Sequence, residues 1–166
     1  MNKLTNQPMS KADLQFFPVS LNVTGKKILL IGGGKIATHK ATIMKRFVDN
    51  VTVVAPEISP EIEELGFTLL RKEYEAADLD GYFLIYVVTD NHDLNSQIKK
   101  DAAVRGILTS VCDAPLLCDF VSPAIYKEGN ITVSVGSNAQ NVYQSVDIRN
   151  QIKELFENGH IQIRQL

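Results

Sequence analysis

Glycines separate an apolar segment from a helix-forming segment in the run from Lys27 to Ala37. Gly32, Gly34 and Ala37 fit the pattern G-x-G-x-x-A. In this pattern the first glycine permits a tight turn, the second lets the backbone approach a ligand, and the small third residue lets helix and strand pack closely. The free N–H groups at the start of the helix then face whatever lies over the turn, usually a pyrophosphate. Such turns also occur without a ligand, but the strand before this one and the helix after it favour dinucleotide binding.

A dinucleotide site of this kind uses an acidic residue about 20 positions after the glycines to bind ribose hydroxyls. Here the second strand runs into Ala55-Pro56-Glu57, so Glu57 lies slightly beyond the usual position. Glu57 is either this ribose-binding carboxylate or an ordinary exposed loop residue, and the sequence does not decide between them. Because no arginine follows directly to pair with a 2′-phosphate, the pattern favours NAD over NADP.

Two further strand ends carry polar residues, and ligands of open parallel sheets bind beyond the carboxyl ends of the strands. Thr89-Asp90 follows one strand and precedes a helix, so helix N-capping is the simplest role for Asp90 alone. Asp113 follows another strand and leads into a loop through Ala114-Pro115. It is either a carboxylate that positions a substrate or accepts a proton, or an Asx-type turn residue before the proline.

The remaining chemistry-bearing residues argue against several classes of protein. Cys112 and Cys118 lack the spacing of zinc ligands, and we interpret them as free thiols of a cytoplasmic protein. The three histidines suggest no catalytic triad and no metal cluster. The net charge of −2 predicts no binding to nucleic acid or to an anionic membrane. The polar N-terminus does not resemble a signal peptide, and no apolar run approaches the roughly 20 residues of a membrane span.

The elements that position these residues alternate between strand and helix. Apolar runs predict strands, short helices separate them, and this alternation is typical of a parallel sheet with right-handed crossovers. The predicted strands span residues 28–31, 51–55, 67–70, 82–88 and 107–111, and the predicted helices span residues 36–48, 59–66 and 91–105. The sequence therefore predicts an α/β fold.

The pattern changes after residue 113. Residues 120–126 and 130–135 have the composition of two strands, and Lys127-Glu128-Gly129 between them predicts a β-hairpin. Residues 142–156 carry an apolar stripe at helical spacing. This last helix packs either on the sheet or on a second subunit.

Several separated motifs together resemble the precorrin-2 dehydrogenase family, the NAD-dependent enzymes that make sirohydrochlorin on the way to siroheme. The resemblance extends from Phe17 through the final helix, nearly the whole chain. Its marks, in chain order, are Phe17-Pro18-Val19-Ser20-Leu21-Asn22, Gly32-Gly33-Gly34-Lys35-Ile36-Ala37, Val51-Thr52-Val53-Val54-Ala55-Pro56, Thr89-Asp90 with Asn95, Val111-Cys112-Asp113-Ala114-Pro115, Cys118-Asp119-Phe120 and Pro123-Ala124.

The resemblance implies a Rossmann-like NAD-binding domain over residues 1–113 and a dimerisation and helical region over residues 114–166, in a homodimer. It implies that Asp113 is the catalytic aspartate acting on a tetrapyrrole substrate, without a resident metal. The NAD-binding residues that we predict from the glycine turn, the strand ends and the resemblance are Gly32, Gly34, Lys35, Ile36, Pro56, Glu57, Thr89 and Asp90.

Some features depart from the family pattern. The family commonly has a Ser/Thr-Gly-Gly-x-Ser-Pro-like turn after the hairpin, where this chain reads Gly136-Ser137-Asn138-Ala139-Gln140-Asn141. The short C-terminus favours dehydrogenase activity alone over a bifunctional dehydrogenase and sirohydrochlorin ferrochelatase. A non-catalytic NAD-sensing domain is the alternative from another class. The candidates for binding substrate carboxylates, otherwise a solvated helix surface, are Lys35, Lys40, Arg149 and Lys153.

Overall fold

The computed structural model describes residues 8–163, which fall into two compact units. The larger unit is Val19–Phe120, and the smaller one consists of residues 8–18 and residues 121–163. The assignment of NAD binding to residues 1–113 and of dimerisation to residues 114–166 remains a prediction.

The larger unit alternates strands and helices, as the apolar runs predict. The strands of its sheet are β1 (Ile28–Ile31), β2 (Val51–Val54), β3 (Thr68–Leu70), β4 (Leu84–Val87) and β5 (Leu108–Val111). The helices between them are α1 (Lys35–Lys45), α2 (Pro60–Glu63) and α3 (His92–Val104), with 3-10 turns at Ala76–Leu79 and Pro115–Leu117. This arrangement confirms the predicted α/β fold.

The strands form a single parallel sheet in the order β3-β2-β1-β4-β5. Ile31, the last residue of β1, pairs with the last residues of both neighbours, Val54 in β2 and Val87 in β4. Val87 in turn pairs with Val111, the last residue of β5. The carboxyl ends of these four strands are therefore level, and the loops that follow them emerge along one edge of the sheet.

Alternate residues of the central strand face opposite sides of the sheet, as strand geometry requires. Ile28 and Leu30 belong to the core cluster on one side, which includes the α1 residues Ala37, Ala41 and Met44. Leu29 and Ile31 belong to the cluster on the other side, which includes Ile98 and Ala102 of α3. Because both faces are covered by helices, the strands read as continuous apolar runs rather than alternating ones.

The smaller unit contains a hairpin of β6 (Ala124–Glu128) and β7 (Ile131–Val135), followed by α4 (Val142–Glu157). The hairpin is confirmed, but the predicted turn at Lys127-Glu128-Gly129 is wrong, because Lys127 and Glu128 belong to β6. The turn is the two residues Gly129 and Asn130, and Gly129 has a φ of 53°. Glycine at positive φ in the first turn position suits a two-residue hairpin.

Contacts within the smaller unit join α4 to the hairpin. The rings of Tyr126 and Phe156 lie 5.2 Å apart between centroids. Arg149 donates a hydrogen bond of 3.0 Å to the carbonyl of Ile125. Among residues 8–163, no helix is long and apolar enough to cross a membrane.

Candidate functional site

Backbone hydrogen bonds continue the sheet beyond the last residues of its strands and bring the strand-end loops together. They run from Gly32 N to Val54 O (2.9 Å), from Val88 N to Ile31 O (2.8 Å) and from Cys112 N to Val87 O (2.9 Å). The residues that directly follow β1, β4 and β5 therefore lie side by side. Gly32, Thr89 and Asp113 belong to these three neighbouring segments.

Gly32 and Gly33 are glycines because the neighbouring backbone leaves no room for a side chain. Gly32 has a φ of 125°, and a Cβ on it would lie 2.2 Å from the carbonyl oxygen of Val88. A Cβ on Gly33 would lie 2.0 Å from the carbonyl oxygen of Glu57. The sequence pattern assigns no role to Gly33, yet the loop after β2 crosses directly over it. Both contacts are far below the closest approach of real Cβ atoms.

Gly34 differs from the two glycines before it, because a Cβ there would meet nothing within 4 Å. Gly34 is the N-cap of α1 and provides no side-chain cap, and the first turn of α1 contains no acidic residue. Lys35 and Ile36, the first two residues of α1, are exposed. The amino end of α1 thus presents open backbone N–H groups and the positive end of the helix dipole, an arrangement that suits a phosphate.

Hydrogen bonds hold the loop after β2 against the glycine turn. Ser59 N donates to the carbonyl of Gly33 at 3.0 Å, and the hydroxyls of Ser59 and Thr38 lie 2.7 Å apart. Pro56 and Glu57 are exposed in this loop. The side chain of Glu57 is therefore open to solvent, while its carbonyl is the atom that crowds Gly33.

The loop after β4 is organised by side-chain hydrogen bonds. The N-cap of α3 is Asn91, whose side chain accepts a hydrogen bond of 3.0 Å from Leu94 N. The capping role considered for Asp90 is therefore wrong, and Asp90 is exposed beside the cap. Thr89 is partly buried and hydrogen-bonded to Asn95, a contact that sequence analysis gave no role.

Asp113 follows β5 in an unusual backbone conformation, with a φ of 61°. Left-handed backbone of this kind is uncommon for residues other than glycine, although Asp and Asn tolerate it best. The side chain is exposed, and residues 8–163 provide it with no hydrogen-bond partner. An Asx-type turn hydrogen bond is therefore absent from this part of the chain, and the carboxylate is available at the sheet edge.

The neighbouring thiol of Cys112 is half-buried, and burial raises its pKa above the usual range. The ammonium of Lys40 acts in the opposite direction and lowers this pKa, whereas the carboxylate of Asp113 raises it. The positive charge of Lys40 on α1 therefore affects the thiol that directly follows β5.

The basic residues considered for substrate carboxylates fall in different units. Lys35 and Lys40 are on α1 of the larger unit, and Arg149 and Lys153 are on α4 of the smaller unit. Arg149 is bonded to the Ile125 carbonyl, and Lys153 lies 3.4 Å from the carboxylate of Glu157.

The loop at Gly136–Asn141 is held by its own side chains. Ser137 Oγ donates to the carbonyl of Asn141 at 2.9 Å and accepts from Asn141 N at 3.1 Å. Asn138 and Ala139 have φ values of 49° and 58°, and the Asn138 amide oxygen accepts from Phe16 N at 3.0 Å. The sequence that departs from the family pattern therefore builds a defined turn that ends in Asn141, the N-cap of α4.

The described part of the chain contains no cluster of metal-ion ligands. Residues 8–163 contain no group of three or more His, Cys, Asp or Glu side chains placed to hold a metal ion. The open amino end of α1, with a bare N-cap glycine and no acidic residue in its first turn, instead fits the pyrophosphate of a dinucleotide.

Curated relatives of this chain are siroheme synthases. The chain is 37% identical over 128 residues to the siroheme synthase of Pseudomonas fluorescens (strain SBW25), covering 75% of this chain and 28% of the relative. It is 31% identical over 154 residues to that of Psychrobacter sp. (strain PRwf-1), covering 90% of this chain and 32% of the relative. The chain thus spans about a third of the length of these relatives.

A solved structure named "SirC, precorrin-2 dehydrogenase" matches with a TM-score of 0.73 at 24% identity, covering 84% of this chain and 70% of that one. This match shows the fold. The curated relatives support the resemblance seen in the sequence. A family model described as "Putative NAD(P)-binding" matches residues 19–124. That range contains the glycine turn, the strand ends and Asp113. The chain belongs to this NAD(P)-binding family.

Proposed function

We propose that this chain oxidises precorrin-2 to sirohydrochlorin, with NAD⁺ as the hydride acceptor. The observation that carries the proposal is the meeting of the glycine turn, Thr89 and Asp113 at one edge of the parallel sheet. A candidate dinucleotide site, and beside it a carboxylate that has no hydrogen-bond partner among residues 8–163, are the parts that a dehydrogenase requires. The names of the relatives and of the solved structure support this substrate.

The cofactor-binding residues each have a specific task in the proposal. The amino end of α1 at Gly34, Lys35 and Ile36 holds the pyrophosphate, because its N–H groups are open there. Gly32 provides the tight turn that aims α1 at the ligand. Along the same edge lie the residues that we assign to the ribose and to the rest of the dinucleotide: Pro56, Glu57, Thr89 and Asp90.

We propose NAD rather than NADP because of the loop after β2. Glu57 is exposed in that loop, and a carboxylate there accepts hydrogen bonds from ribose hydroxyls but repels a 2′-phosphate.

Asp113 is the residue to which we assign the substrate. Oxidation of precorrin-2 removes two electrons and one proton as a hydride, which bound NAD⁺ accepts, and releases a second proton. We propose that the Asp113 carboxylate positions the tetrapyrrole or takes this second proton. Its exposed side chain and the φ of 61° that turns the chain beyond β5 support this assignment.

The assembly of the protein is also part of the proposal. We place the NAD-binding role in residues 1–113 and dimerisation in residues 114–166. Large apolar side chains of the smaller unit remain exposed on this chain, which supports a homodimer: Ile131, Val142, Tyr143, Ile148 and Leu155.

Two free thiols fit a reducing compartment, and we assign the protein to the cytoplasm.

Anaerobic incubation with precorrin-2 and NAD⁺ tests the proposal, with NADH and sirohydrochlorin measured together. We expect equal amounts of the two products, and no sirohydrochlorin when NAD⁺ is omitted. NAD⁺ binding without either product would favour the NAD-sensing alternative and contradict the proposal. Insertion of Fe²⁺ into added sirohydrochlorin without NAD⁺ would extend the function to a ferrochelatase.

A further inference from the structure

Asn95 of α3 is a buried amide, 3% exposed, that directs both of its polar atoms at Thr89. Its Oδ1 lies 2.6 Å from the Thr89 hydroxyl, and its Nδ2 lies 2.9 Å from the Thr89 carbonyl oxygen. A buried amide that makes two hydrogen bonds to one residue holds that residue in a single orientation.

The carbonyl of Thr89 determines the direction of the second hydrogen bond. A carbonyl oxygen only accepts, so the Asn95 atom facing it must be the NH₂ group, and the amide oxygen must face the hydroxyl. An amide oxygen also only accepts, so the Thr89 hydroxyl must donate its hydrogen to Asn95. The other acceptor near this hydroxyl, the Asn91 carbonyl, lies at 3.4 Å and competes poorly with the contact at 2.6 Å.

The Thr89 hydroxyl therefore has no hydrogen left to donate to a ligand. One of its lone pairs accepts from Asn91 N at 3.2 Å, which leaves one lone pair free. Thr89 is partly buried at the end of β4, directly after Val88, whose carbonyl crowds Gly32 of the glycine turn. A hydrogen-bond acceptor with no spare hydrogen thus lies beside the dinucleotide turn.

We propose that Asn95 is a positioning residue that keeps the Thr89 hydroxyl as an acceptor toward the cofactor. Such an acceptor takes a group that donates. A dinucleotide offers its ribose hydroxyls, the adenine amino group and the nicotinamide carboxamide as donors, and we assign a ribose hydroxyl to Thr89. The Thr89 hydroxyl has no hydrogen to donate to a phosphate oxygen, which only accepts. It therefore helps to keep the pyrophosphate at the amino end of α1. This inference rests on the dinucleotide site of the proposed function.

The test compares the dissociation constants of NAD⁺ and of NAD⁺ analogues that each lack one ribose hydroxyl, measured by calorimetry. We expect one of these analogues to bind the unaltered protein about 3- to 10-fold more weakly than NAD⁺, the value of one neutral hydrogen bond. Thr89→Val should bind NAD⁺ more weakly by a similar factor and should no longer distinguish that analogue from NAD⁺. Thr89→Ser, which restores the hydroxyl, should restore the discrimination.

Asn95→Ala tests the positioning role itself. Without the amide, the Thr89 hydroxyl is free to rotate, so discrimination between NAD⁺ and the analogue should fall toward that of Thr89→Val. Asn95→Ser serves as a second variant if Asn95→Ala does not fold. Gln97→Ala is the matched control, because Gln97 is exposed on the same helix and bonded to Asp101, and it should behave as the unaltered protein does.

The outcomes separate this inference from the proposed function. Equal discrimination in the unaltered protein and in Thr89→Val would overturn the inference, even if precorrin-2 is oxidised normally. Loss of discrimination in both Thr89→Val and Asn95→Ala would support it, even if precorrin-2 is not a substrate. Failure of the unaltered protein to bind NAD⁺ would overturn both.

Discussion

Asp119 pairs with Thr109 through both its backbone and its side chain. Its N–H donates to the Thr109 carbonyl at 2.8 Å, and its carboxylate accepts from the Thr109 N–H at 2.9 Å. The Cys118 thiol accepts from Val111 N at 3.2 Å in the same way. These contacts cover the edge of β5 that no strand occupies, which is the protection that an edge strand requires. They also fasten the far end of the loop that carries Asp113.

Asp119→Ala should lower the free energy of unfolding by about 1–3 kcal/mol, because it leaves the Thr109 N–H without its partner at a buried residue. Lys99→Met is the matched control, since it removes only the ion pair between Lys99 Nζ and Asp119 at 2.5 Å. A partly exposed pair of this kind contributes about 0–1 kcal/mol. Urea unfolding measures both variants, and equal losses would contradict the edge-covering role of Asp119.

Gly33 and Gly34 offer a matched pair of alanine substitutions. Gly33→Ala should destabilise the fold by roughly 1–3 kcal/mol, because its Cβ would lie 2.0 Å from the Glu57 carbonyl oxygen. Gly34→Ala meets nothing within 4 Å and should cost only about 0.5–1 kcal/mol, because alanine is a poorer N-cap than glycine. It should still weaken NAD⁺ binding, since the new methyl would lie where we propose that the pyrophosphate binds. Thermal unfolding and calorimetry measure the two effects, and normal NAD⁺ affinity in Gly34→Ala would contradict the assignment of the pyrophosphate.

The backbone of Asp113 predicts an order of stability among its variants. Its φ of 61° suits glycine and is unfavourable for alanine. Asp113→Gly should therefore be about 1 kcal/mol more stable than Asp113→Ala, with Asp113→Asn between them. Urea unfolding at one pH compares the three. Equal stability of the glycine and alanine variants would mean that the left-handed conformation does not persist in solution.

Much of the larger unit follows from local patterns in the sequence. Residues 28–31 are all apolar and residues 51–54 are all β-branched, and both are strands buried on two faces, as their composition predicts. Ser59-Pro60 predicts the start of α2, and the structure confirms Ser59 as its N-cap. Helix ends are less accurate: α1 ends at Lys45 rather than at Val48, because the last residues of the predicted helix form a turn.

The features that sequence reasoning missed depend on contacts between distant segments. Gly33 resembles its neighbours in the sequence, and only the return of the chain at Glu57 shows why it lacks a side chain. The amide of Asn95 is polar at a helix position that turns out to be buried, and its partner lies in another element. The left-handed conformation of Asp113 is set by how the loop returns to β5, which no local pattern specifies.

Cys112 provides a chemical probe of the charges at the end of β5. Because its pKa is raised above that of a free thiol, about 8.5, alkylation by iodoacetamide near that pH should be slower than for a free thiol. Lys40→Met should slow it further by removing the charge that lowers the pKa, and Asp113→Asn should accelerate it. The experiment uses Cys118→Ser protein so that one thiol reacts.

Because folding raises the pKa of the Cys112 thiol, this thiol also makes the free energy of unfolding depend on pH. Its contribution to stability is fully present below the pKa of the unfolded state and is lost as the pH rises through the pKa of the folded state. Alkylation rates that do not respond to Lys40→Met would contradict the placement of this ammonium near Cys112.

The most direct test of the proposed function compares Asp113→Asn with the unaltered protein in anaerobic oxidation of precorrin-2 by NAD⁺. Asparagine tolerates the backbone conformation of Asp113 and replaces its carboxylate by an uncharged amide of similar size. We predict that kcat for NADH formation falls about 100-fold or more, while the dissociation constant of NAD⁺ stays the same. An unchanged kcat would contradict the role of Asp113, and no NADH from the unaltered protein would contradict the assignment as a precorrin-2 dehydrogenase.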